Sequence, residues 1–253
     1  MLNKIFKIEK NTITVVAVMV AIVIIGLVVA WNYYGSINNS EDPRVVMAKN
    51  IYKRYDKLAN ENKYIEILSL LDSMSNIYNK HDDYRNSYEM GVVYNNRVAV
   101  LITIALFETN DSLVKDSLLI LAKKDALAAI NIYNDWTSEF GTLTEVQIRA
   151  KVEPIYMASN NEFEIEKIEQ YVNKRIRDIE LAQTETPRRL SVCYTNLGII
   201  FRHQGSYEEA INSYQKALEL WSSNLTAENN INVILGRPIK ERSVLEKLFP
   251  ENK

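Results

Sequence analysis

The distribution of apolar residues divides the chain into one continuous block and a long periodic region. From Ile13 to Trp31 the sequence ITVVAVMVAIVIIGLVVAW is almost wholly apolar, and no charge occurs from Asn11 to Ser40. At about 1.5 Å rise per residue such a helix spans close to the roughly 30 Å hydrocarbon core of a bilayer. The run is longer than the roughly 7–15 apolar residues of a cleaved leader, so an uncleaved transmembrane helix is expected over 13–34. Trp31, Tyr33 and Tyr34 follow where an interfacial aromatic belt belongs. Val28-Val29-Ala30 supplies small residues of the kind a signal peptidase accepts, which leaves cleavage as the alternative.

Beyond a polar linker at 35–43 (GSINNSEDP), apolar positions recur at spacings of three and four, the signature of helix faces. Four helical hairpins are expected, at 43–60 with 63–80, 84–107 with 112–137, 143–158 with 161–184, and 188–203 with 207–221. Ser40, Glu41 or Asp42 can cap the first helix, with Pro43 in its first turn. Glu108-Thr109-Asn110-Asp111-Ser112 is a hinge with capping residues, and Gln204-Gly205-Ser206 is a turn. Gly141 closes the second hairpin, Pro154 predicts a kink or an early start, and Pro187 lies near the start of the fourth hairpin. A tail at 226–248, interrupted by Gly236-Arg237-Pro238, completes the helical count. The domain expectation is therefore a basic tail at 1–12, a span at 13–34, a linker at 35–43, a helical repeat domain at 44–225, and a helical cap at 226–253.

Composition narrows the functional classes. Seven glycines and five prolines in 253 residues favour helices over turn-dense β architectures. One cysteine, Cys193, forms no intrachain disulfide, and no Cys/His cluster suggests zinc. The net charge of −2 comes without a long basic run, which argues against nucleic acid as a partner. Lys4, Lys7 and Lys10 precede the apolar block, whereas Glu41 and Asp42 stand beside Arg44 and Lys49 after it. That bias predicts a cytoplasmic N-terminus and an extracytoplasmic domain.

Within the fourth hairpin, Tyr194, Leu197, Gly198 and Phe201 are followed by Gly205, Tyr207, Ala210, Tyr214 and Ala217. In this register residues 191–224 resemble a tetratricopeptide repeat, a 34-residue helix–turn–helix unit. Small residues fit where two helices cross closely, and aromatics fill the spaces between them. Met90-Gly91-x-x-Tyr94 and Ala129-x-x-x-Tyr133 repeat parts of the pattern in the second hairpin. Tyr64, Ile67, Leu71 and Met74 repeat its spacing in the first, and the third hairpin matches in layout alone. An unrelated helical bundle with one repeat-like hairpin is the alternative.

The resemblance implies an all-α superhelix of about four repeats whose first helices line a protein-binding groove. Carried over by position, the groove residues are Val192, Thr195, Ile199, Arg202 and His203, with Tyr88, Val92, Asn95 and Asn96 in the second hairpin. Ile199 stands where repeats that clamp a terminal carboxylate carry asparagine, which argues against that subtype. His203 reads as the end of a helix, His81 with Asp82 and Asp83 as a solvated turn, and Cys193 as core. The expected role is a membrane-anchored, extracytoplasmic scaffold that binds a protein or peptide, similar in layout to bacterial inner-membrane repeat proteins supporting envelope assembly or export. No cofactor, metal, catalytic group or small-molecule substrate is expected. The alternatives are a cytoplasm-facing adaptor or regulatory subunit and, behind it, a helical-repeat enzyme.

Overall fold

The structure is a computed structural model and describes residue 19 and residues 22–28, 41–158 and 163–241. Most of the expected 13–34 span, the linker to residue 40, the break at 159–161 and the chain after 241 lie outside the described residues. Residues 22–28 (α1) are helical and their apolar side chains are exposed, Ile25 at 62% and Leu27 at 65%.

The regular elements among the described residues after 41 are all helical, with no strand. The first expected helix is two, α2 (Val46–Tyr52) and α3 (Tyr55–Asn60), and α4 (Tyr64–Tyr78) returns against them. Lys53 and Arg54 between the first two keep right-handed helical dihedrals, so the chain holds its sense across the break. A short α5 (Asp82–Arg85) fills the next turn. The second hairpin is α6 (Tyr88–Thr103), ending in a π-helical turn (Ile104–Glu108), and α7 (Ser112–Phe140). Asp111 caps α7 as its hinge sequence predicts, its side chain accepting from the Leu113 and Val114 amides.

The third and fourth hairpins depart from the expected layout. After α8 (Glu145–Ala158) and a 3₁₀ turn (Ile165–Lys167), one helix, α9 (Ile168–His203), runs unbroken for 36 residues. It is the second helix of the third hairpin and the first of the fourth. Pro187 lies inside it on the exposed side. The reason is the stripe on the opposite side: Ile168, Val172, Ile176, Ile179, Ala182, Thr186, Leu190, Cys193, Leu197 and Ile200 are all buried. Continuous burial outweighs the roughly 3 kcal/mol of an interior proline. Pro154 is likewise contained within α8. The expectation of four separate hairpins therefore becomes one of hairpins fused through a shared helix. α10 (Tyr207–Leu220) packs back on α9, and the tail forms α11 (Leu225–Ile234), which ends at Gly236 with φ 65°.

Tyr88–Glu108, the α6 segment with its π turn, is long and apolar enough to cross a membrane. It is packed within the domain, where Met90, Val93, Val98, Leu101, Ile102 and Ala105 are buried, so its apolarity is that of a core helix.

Two hairpins share a packing device. A Cβ on Gly198 would lie 2.5 Å from Tyr214 Cε1, and one on Gly91 would lie 2.6 Å from Tyr133 Cε1. Each glycine thus lets the tyrosine of the following helix lie flat on its backbone, and both tyrosines are fully buried. Gly198→Ala and Gly91→Ala should each cost about 1–3 kcal/mol by overpacking, read as a shift in the urea midpoint. Tyr214→Leu should relieve Gly198→Ala, giving a coupling of about 0.5–3 kcal/mol in a double-mutant cycle. Additive losses at this pair would contradict the contact.

Candidate functional site

A cleft of about 200 Å³ opens between α2, α4, α6 and α9. One turn of α6 supplies Tyr88, Glu89 and Val92, while Lys49 and Tyr52 come from α2. Met74 and Tyr78 of α4 and Arg189 of α9 complete the wall. The residues 88, 89 and 92 share a face because a helix returns every 3.6 residues.

Polar contacts fix the cleft walls. Asn96 Nδ2 donates to Tyr52 Oη at 3.0 Å, joining α6 to α2. Asn196 Nδ2 donates to Asn95 Oδ1 at 3.1 Å, joining α9 to α6. Glu89 pairs with Arg175, whose guanidinium also lies 4.4 Å from the Tyr84 ring centroid and 5.6 Å from that of Tyr88. Burial raises the Tyr78 and Tyr88 phenols well above their ordinary pKa, so both remain neutral hydrogen-bonding groups. Lys49 is bound by Glu41 and by Asp178 at 2.9 Å, and Lys174 pairs with the same two carboxylates.

Behind the cleft the start of the domain is locked into the third hairpin. Asp42 is 4% exposed; its Oδ2 accepts from Tyr84 Oη at 3.1 Å, Tyr156 Oη at 2.9 Å and Arg44 Nη2 at 2.7 Å. Arg44 also reaches Asp83 at 2.8 Å and lies over the rings of Tyr84, Tyr156 and Phe163. Burial alone would raise the Asp42 pKa, but the hydrogen bonds and charge of Arg44 hold it below the usual carboxylate value. Asp178 is lowered in the same way, Lys49 and Lys174 overcoming its burial.

The structure places the sequence-predicted residues unevenly. Tyr88 and Val92 line the cleft, and Asn95 and Asn96 brace it. The face expected in the last repeat is not an open groove. Thr195 is buried, its Oγ1 donating to the Ser191 carbonyl at 2.9 Å and accepting from Asn224 Nδ2 at 2.9 Å. Ile199 packs between two clusters of the core, and Arg202 donates to Asn230 of α11 at 2.8 Å. The physical reason is α11: Asn224 at its N-cap bonds Thr195 and Asn230 within it accepts from Arg202, so this helix lies over the expected face. His203 ends α9 in an exposed position, its pKa lowered by partial burial and by Arg202 and Lys115. Cys193 is buried and its thiol is pushed up by desolvation. Among the described residues no group of three or more His, Cys, Asp or Glu gathers as a metal site.

Sequence reasoning missed Arg189, Tyr52, Lys49 and Asp42. Arg189 follows Pro187, which read as a helix boundary instead of a helix interior. Lys49 and Asp42 looked like flanking charges because their partners, Asp178 and Tyr156, lie more than a hundred positions away.

The tetratricopeptide repeat family model matches residues 191–224, the end of α9 through α10 to the start of α11. Comparisons with curated proteins and with solved structures give no significant match. The chain therefore carries a tetratricopeptide repeat, a unit that typically serves as a protein-interaction module.

The lowered Asp42 and Asp178 pKa values have a definite sign. Their stabilisation is present above the unfolded Asp value of about 3.9 and is lost as pH falls through the lower folded values. Urea midpoints should be level near pH 6–7 and drop steeply below about pH 4. Asp42→Asn strands Arg44 in part and should cost about 3–5 kcal/mol at pH 7 while flattening the acid limb. An unchanged acid limb in that variant would remove Asp42 as its source.

Proposed function

We propose that the protein is a membrane-anchored scaffold that docks a protein partner in the cleft between α2, α4, α6 and α9. The observation that carries this reading is the pairing of the repeat at 191–224 with an open cleft on which Tyr88 and Val92, the expected inner-face positions of the second hairpin, converge. The cleft is small against the roughly 300–1,000 Å³ of a small-molecule site. Its size suits one or two side chains of a docked segment. Docking, not catalysis, is its business: the phenols are neutral and the carboxylate Glu89 is engaged by Arg175.

The anchor rests on the uncharged apolar block of 13–34, and the side on the lysine bias before it. On this reading the domain stands outside the cytoplasm, in the manner of a scaffold for envelope assembly or export.

A photo-crosslinking residue placed at Val92 in native membranes should yield a discrete protein adduct. The same residue at Val146, 77% exposed on α8, should not. Val92→Trp, which fills the cleft, should abolish the adduct formed from a probe at Asn96. Equal labelling at 92 and 146 would remove the cleft as the docking site. A periplasmic-type reporter fused after Lys253 should be active; activity of a cytoplasmic reporter instead would reverse the assigned side.

A further inference from the structure

The charges around the cleft balance with one exception. Lys49 and Lys174 answer Glu41 and Asp178, and Arg175 answers Glu89. Arg189 forms no ion pair among the described residues, and its Nε is buried without a hydrogen-bond partner. The Tyr133 hydroxyl, buried without a hydrogen-bond partner and held protonated by desolvation, offers Arg189 no negative charge. Arg189 and Tyr52 line the same cleft. Tyr52 Oη already accepts from Asn96, which leaves the Tyr52 proton free to donate. Arg189 and Tyr52 together present donors without an acceptor, beside an apolar wall of Val92, Met74 and the Tyr88 ring. Unmade buried donors are costly, and a guanidinium is matched best by a carboxylate. Glu89 Oε2, also buried and without a partner, offers the complementary acceptor for a backbone N–H.

We propose that the cleft docks an acidic side chain of a partner segment, seating its carboxylate on Arg189 and Tyr52 and a neighbouring large apolar side chain against Val92 and Tyr88. The proposal rests on the docking reading above and specifies the chemistry of the docked segment. One unopposed cation selects one carboxylate; an apolar wall of this size selects one bulky neighbour. The segment is internal to the partner chain, so neither of its termini is required.

The test uses the full chain in detergent micelles and an array of peptides blocked at both ends. Each peptide carries Leu or Phe with Asp or Glu one to four positions away, and its match carries Asn or Gln instead. Acidic peptides should bind at least about 10-fold more tightly than their amide matches, and added salt should reduce that margin. Arg189→Gln should erase the margin, Arg189→Lys should keep part of it, and Tyr52→Phe should reduce it severalfold without unfolding the wall. Val92→Trp should abolish binding of every peptide. If Val92→Trp abolishes binding while acid and amide peptides bind equally, docking stands and the acidic assignment fails. If binding needs a free C-terminal carboxylate, the internal-segment assignment fails. If peptides bind and Val92→Trp leaves them untouched, the cleft itself is wrong and both readings fall.

Discussion

One buried stripe, running the length of α9 from Ile168 to Ile200, is the constraint on which the domain is built. At about 1.5 Å per residue the helix is close to 54 Å long, longer than any single hairpin needs. Its first half is walled by α8 and the end of α7, with Ile148, Val152 and Tyr156 of the one and Trp136 of the other in one cluster. Its second half is walled by α7, with Ala122, Ala126, Ala129 and Tyr133 in another, and by α10. Because one rigid rod serves both clusters, the third and fourth hairpins cannot rotate independently, and the cleft wall carried by Arg189 is set from both ends.

The second organising feature is polar. Arg44 and Arg175 are buried guanidiniums, each with a carboxylate partner and aromatic rings around it. Burying such charges stabilises little by itself, since desolvation consumes most of the Coulomb gain. What the arrangement supplies is position. Asp42 can satisfy Tyr84, Tyr156 and Arg44 together only when the residues before α2 lie against the third hairpin. The cleft lies between the elements that this junction holds in register.

The helices and the repeat were legible in sequence because their signals are local. Gly198, Ala210 and Tyr214 sit at fixed spacings, and Asp111 announces its cap within three residues. The fusion at Pro187 was hidden because proline is a local signal for a boundary, whereas the burial that overrides it comes from α7, α8 and α10. The candidate groove was half legible for the same reason. Tyr88 and Val92 follow from repeat spacing, but Thr195 and Arg202 were read without knowing that α11 folds over them. Arg189 left no trace in periodicity at all; that its Nε is buried without a hydrogen-bond partner among the described residues emerges only once the helices are packed.

The Asp42 junction also fixes how the domain bears load. Tension arriving from the N-terminal side at residue 41 does not peel α2 away first. Through Glu41 and Asp42 it passes sideways into Lys174, Tyr84 and Tyr156, so hairpins that are distant along the chain share it in parallel. Bonds loaded in parallel must break together, whereas an open solenoid unzips one unit at a time. A helical domain that would otherwise behave as a spring is, where the described residues resume at 41, a clasp.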